Sequence, residues 1–159
     1  MMALKIGLDF HGVISAKPDK FALFCKKIRQ LGVSVYIISG GPKKDVIKYL
    51  DKYGIEYDDV WAILDNCEKN GTVSFYDDGS FQVPTEIWDT AKAEYCAKEG
   101  INFHIDDSSI YGRYFVTPYC HYDIKEGCCR LDNRVEINFN SPEAAAVKIA
   151  ELLKKSCLD

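Results

Sequence analysis

Asp9, Ser39, Lys92 and the pair Asp106-Asp107 are the residues of this 159-residue chain whose types and order suit phosphoryl chemistry. An aspartate carboxylate can attack phosphorus. A serine hydroxyl and a lysine ammonium can hold phosphoryl oxygens, and further carboxylates can bind the Mg²⁺ that neutralises them. Asp9, Ser39 and the acid pair each follow a short apolar run, where a parallel sheet presents its ligands.

The elements that must position these residues are legible as apolar periodicity. Lys5 to Asp9 reads as a strand, and Lys17-Pro18-Asp19 opens a helix with Phe21, Phe24, Ile28 and Leu31 on one face, closed at Gly32. Val33 to Ile38 is almost wholly apolar and β-branched, as in a strand covered on both faces. Gly40-Gly41-Pro42 opens a second helix that closes at Gly54, and Val60 to Leu64 reads as a third buried strand. Asp77-Asp78-Gly79 between Thr72 to Tyr76 and Ser80 to Val83 predicts a hairpin. Thr85 to Glu99 returns to helical spacing and leads to a strand at Ile101 to Ile105. Ser108 to Asp132 is irregular, Arg134 to Phe139 reads as strand, and Ser141-Pro142-Glu143 begins a final helix reaching about Lys155. The alternation predicts a single domain over 1–159: an α/β, Rossmann-like, doubly wound parallel sheet in three layers with a small β-hairpin excursion.

The order Asp9, Ser39, Lys92, Asp106-Asp107 on such a framework resembles the haloacid dehalogenase-like superfamily of phosphatases and phosphotransferases. The resemblance rests on Leu8-Asp9-Phe10-His11-Gly12-Val13, on Ile37-Ile38-Ser39-Gly40 and on His104-Ile105-Asp106-Asp107-Ser108, and covers most of the chain through about Ser108. It implies that Asp9 is nucleophile and Mg²⁺ ligand, that Ser39, Gly40 and Lys92 bind the substrate phosphate, and that Asp106 and Asp107 complete the metal site. Lys98, on the same helix, is the competing lysine. His11 stands where the family's phosphatases carry a second aspartate as general acid and base. The family also uses that position's backbone carbonyl on Mg²⁺, which any residue supplies, and an imidazole can itself move protons near neutral pH. Between Ser39 and Lys92 only the hairpin is spare, so the resemblance implies a nearly capless member. Two functions follow from it: a Mg²⁺-dependent phosphohydrolase working through an aspartyl-phosphate, or a catalytically impaired regulatory protein that holds metal and phosphate.

Composition narrows the field. Twenty Lys+Arg against 24 Asp+Glu give a net charge of −4, with no global positive field to collect duplex nucleic acid. No apolar run approaches the roughly 20 residues of a membrane span, and the N-terminus carries no secretory h-region. The expected partner is a phosphorylated small molecule or macromolecule, and a homo-oligomer is compatible with the sequence. Seven cysteines without regular spacing read as reduced thiols in a cytoplasmic protein rather than a disulfide framework. Cys120-His121 with Cys128-Cys129 lacks a zinc-knuckle spacing. His104 reads as a structural or surface histidine, and Phe115, Tyr119 and Tyr122 as core or rim packing.

Overall fold

The computed structural model describes residues 3–131 and 134–158. Its main sheet has 7 strands: β1 (Leu4–Asp9), β2 (Val33–Ser39), β3 (Asp59–Ala62), β6 (Phe103–Asp106), β7 (Tyr119–Asp123), β8 (Cys128–Leu131) and β9 (Val135–Asn138). A separate antiparallel hairpin pairs β4 (Ser74–Phe75) with β5 (Phe81–Gln82). The helices are α1 (Pro18–Gln30), α2 (Lys43–Lys52), α3 (Ile63–Asn70), α4 (Thr85–Glu99), the short α5 (Ser109–Gly112) and α6 (Pro142–Leu158). Strand order is β3-β2-β1-β6-β7-β8-β9, parallel from β3 to β7 and antiparallel through β8 and β9. The expected Rossmann-like, three-layer α/β architecture with a small hairpin is the observed one.

Period-two alternation assigns each face of β1 and β6 a different job. Ile6, Leu8, Phe103 and Ile105 join the larger core, which they share with Phe21, Phe24 and Ile28 of α1, Val46 and Leu50 of α2, and Ala146 and Ile149 of α6. Gly7, Asp9, His104 and Asp106 occupy the alternate positions. On that face Ile38 and Ile101 pack with Cys96 of α4, and Ile63 and Cys67 of α3 pack with Ala91 of α4. The acids therefore sit on the α4 side because the alternating residues fill the other core.

Three expectations are corrected. The run Val60 to Leu64 is not one strand: β3 ends at Ala62 and Ile63 opens α3. The neighbouring loop ends it, since Leu64 N–H donates to the Gly40 carbonyl at 3.0 Å and Lys43 N–H to Asp65 Oδ1 at 2.8 Å. The stretch from Ser108 is not irregular but carries α5, β7 and β8; its last residue, Asp132, lies outside the described residues. Cys120 and Cys129 are not reduced thiols but are joined as a disulfide, because β7 and β8 bring their Cα atoms to 5.7 Å. Cys25, Cys67, Cys96 and Cys128 are free, and the Cys157 side chain lies outside the described residues. Among the described residues, no helix is long and apolar enough to cross a membrane.

An aromatic cluster closes the larger core beneath α1. Phe139 stacks on Phe21 with centroids 5.2 Å apart and meets Phe24 edge-on at 5.1 Å. Phe139→Ala should therefore cost about 3–5 kcal/mol of unfolding free energy. Urea denaturation measures it, and a loss below about 1 kcal/mol would show that the cluster is not a unit of stability.

Candidate functional site

Three polar ends of the sheet and one helix converge at the carboxyl edge. Lys92, 2 % exposed, projects from α4 and places Nζ 2.7 Å from Asp9 Oδ1 and 2.9 Å from Asp106 Oδ2. Its ammonium also lies 4.8 Å from the centroid of the Tyr111 ring, a cation–π distance. Burial alone would strip the proton from Lys92, but the charges of Asp9 and Asp106 outweigh it and hold the ammonium above its usual range. Lys98 is exposed at the other end of α4, so the lysine that meets the acids is Lys92.

The two carboxyl groups bound to Lys92 differ. Asp106 is buried, which disfavours its charge, yet it is held far below the ordinary carboxylate range by hydrogen bonds and by Lys92. Its Oδ2 meets His104 Nε2 at 3.0 Å and its Oδ1 accepts from Ser108 N–H at 3.1 Å. Asp9 is pushed well above its usual value, by burial first, with Lys92 opposing and the neighbouring charge of Asp106 adding to the rise.

His104 is wholly buried, and burial lowers its pKa, so the ring is neutral. Facing an ionised carboxylate, it carries its proton on Nε2 and donates it to Asp106, while Nδ1 has no hydrogen-bond partner among the described residues. The ring fits because its β1 neighbour is Gly7: a Cβ there would lie 2.6 Å from Nδ1. Phe115 stacks on the other side at 5.0 Å and 11°. His104 is thus the structural histidine of the two roles the sequence allows, buried rather than at the surface, and Gly7 is the signal for its burial, a glycine inside a strand where another group comes close.

Asp107 lies against the Gly12 backbone, where a Cβ would strike its carboxylate and where φ is +84°. Asp9, Asp106 and Asp107 each offer an oxygen within 4.8 Å of the others. Three carboxyl groups gathered around the single ammonium of Lys92, with oxygens at this spacing, could hold a metal ion. The His11 side chain is exposed, edge-on to Phe10 at 4.8 Å, and makes no polar contact among the described residues. Ser39 is buried at the end of β2, beside β1 in the sheet. Its Oγ accepts from Gly41 N–H at 3.1 Å, which leaves the hydroxyl proton free to donate. Neither Ser39 nor Gly40 touches the acid cluster through a hydrogen bond.

Of the aromatic residues weighed from the sequence, Tyr122 belongs to the opposite core beside Phe21, and Tyr119 donates its hydroxyl to the Ser108 carbonyl. Trp88 and Tyr111 escaped sequence reasoning. Trp88 packs on Gly40, where a Cβ would be 3.1 Å from its ring, and donates Nε1–H to the Tyr111 hydroxyl at 2.8 Å. No protein-family profile, curated protein or solved structure matches this chain.

Lys92→Met should strip two buried acids of their counter-charge and cost about 3–5 kcal/mol at neutral pH. In the parent protein Asp106 titrates below its unfolded value, so its stabilisation is fully present above about pH 4 and is lost as the pH falls from there through its lower folded value. In the variant the unpaired acids titrate above their unfolded values, so lowering the pH from 7 to 5 should recover part of the deficit. Urea denaturation at both pH values tests the sign; a deficit that stays constant or grows would refute the charge argument.

Proposed function

We propose that this protein is a Mg²⁺-dependent phosphohydrolase of the haloacid dehalogenase-like type, with Asp9 as nucleophile. The observation that carries the reading is Lys92 bridging Asp9 and Asp106 at the carboxyl ends of β1 and β6, with Asp107 alongside. In this reading an Asp9 carboxylate oxygen attacks the substrate phosphorus and the bond to the leaving oxygen breaks. His11 gives that oxygen a proton, which completes the alcohol product and leaves an aspartyl-phosphate. The neutral His11 then takes a proton from water, whose oxygen attacks phosphorus, releasing inorganic phosphate and restoring the Asp9 carboxylate. Lys92, the Ser39 hydroxyl and the Gly40 amide hold the phosphoryl oxygens. Bound Mg²⁺, held by Asp9, Asp106, Asp107 and the His11 carbonyl, would supply charge neutralisation of the transferring group. Burial first, and then the neighbouring charge of Asp106, hold Asp9 above its usual value, and a cation bound beside it would lower it toward the carboxylate that attacks.

With only the small hairpin spare between Ser39 and Lys92, this reading is of a nearly capless member, which suits a phosphorylated small molecule or the end of a macromolecule. The exposed His11 ring, without a polar partner, favours a second reading in which metal and phosphate are held without turnover.

Phosphate release from a panel of phosphomonoesters separates the two. Release should require Mg²⁺, stop with chelator and vanish in Asp9→Asn; activity retained in that variant refutes the nucleophile. His11→Ala should lower kcat by about 10²–10⁴-fold, the usual contribution of a general acid–base, with a smaller change in KM. Equal kcat in His11→Ala would remove the histidine from the chemistry, and Mg²⁺-dependent phosphate binding without any release would establish the second reading.

A further inference from the structure

A row of aromatic rings leads outward from the candidate nucleophile. Tyr111 lies 4.8 Å from Lys92 Nζ, Trp88 is hydrogen-bonded to Tyr111 at 2.8 Å, and Phe81 lies 5.7 Å from Trp88, tilted by 31°. Trp88 also packs against Gly40, so the row passes beside the loop assigned to phosphate.

At its outer end the row meets a cleft of about 570 Å³ between the hairpin and that loop, lined by Pro42, Lys44, Phe75 and Phe81 among others. This volume falls within the range of about 300–1,000 Å³ of small-molecule sites. Phe75 and Phe81 are direct partners across β4 and β5, which puts both rings on one face of the hairpin, and both line the cleft. They remain 55 % and 43 % exposed. Anchoring the hairpin does not account for that exposure, because Val73 and Val83 pack with Trp88 against the core of α3 and α4. Lys44, Asp65 and Glu68 line the same cleft and bring polar groups beside the aromatic rings.

We infer that the hairpin face and the Pro42 loop receive the leaving group of the substrate, and that this group carries a nucleobase-sized aromatic ring, making the substrate class a phosphomonoester of an alcohol that bears such a ring, such as a nucleoside monophosphate. The inference rests on the phosphohydrolase reading and specifies its substrate. Aromatic faces take a base by stacking, a sequence-tolerant contact that one ring on one base makes worth about tenfold or more in affinity.

The 159-residue chain carrying Asp9→Asn, which binds without turnover in this reading, provides the test by calorimetry with Mg²⁺ present. The probes are adenosine 5′-monophosphate, ribose 5-phosphate and inorganic phosphate. The adenosine ester should bind about tenfold more tightly than ribose 5-phosphate, and Phe81→Ser or Phe75→Ser in that background should bring the ratio toward one. Both positions are exposed, and circular dichroism verifies that each variant is folded. Equal affinity for the two esters, or a ratio that neither substitution changes, overturns the aromatic leaving-group site while phosphate binding keeps the phosphohydrolase reading. Failure of all three probes to bind, both to Asp9→Asn and to the parent protein, overturns both.

Discussion

A buried ammonium between two buried carboxylates organises the carboxyl edge of this sheet. Lys92 contacts Asp9 and Asp106 where water is excluded, so neither acid can ionise cheaply without it and its own charge persists only because they are there. That mutual dependence ties α4 to β1 and β6 across more than eighty residues of sequence. It also divides labour between the acids: Asp106 is saturated with donors and firmly ionised, while Asp9 keeps an unsettled charge. A group that is to react needs such incomplete satisfaction, and a group that is to hold its neighbours in place needs the opposite.

The surrounding backbone is shaped to admit these side chains. Gly7 clears the space that the His104 ring fills, and Gly12 turns the chain with positive φ against the Asp107 carboxylate. Both glycines are places where a Cβ would collide with a polar group of the cluster. The disulfide between Cys120 and Cys129 joins β7 and β8 beyond the cluster, on the strands that extend the parallel sheet into its antiparallel edge. The other face of the sheet is an ordinary aromatic and aliphatic core, which leaves the α4 face free to carry the polar residues. On the outer side of that face, the rings from Tyr111 through Trp88 to Phe81 connect the charged centre to the exposed hairpin. The charged centre and the aromatic approach are the two observations on which the proposed reaction and the proposed substrate class rest.

What the sequence by itself determined was the layered α/β plan and the strand ends that carry Asp9, Ser39 and Asp106-Asp107. These are local properties: β-branched runs, three-and-four spacing and terminating glycines act over a few residues and survive in the folded chain. Where a neighbour from elsewhere in the chain intervened, local reading stopped short. The apolar run at Val60 to Leu64 was cut by a bond from the Gly40 loop, and β7 and β8 formed because each found a partner strand that no local pattern announces. Only the tertiary structure set the Lys92 ammonium between both acids, buried His104 behind Asp106, joined two cysteines and aligned the aromatic row. Each of those outcomes depends on distances between residues far apart in sequence, and such distances exist only after the sheet has assembled.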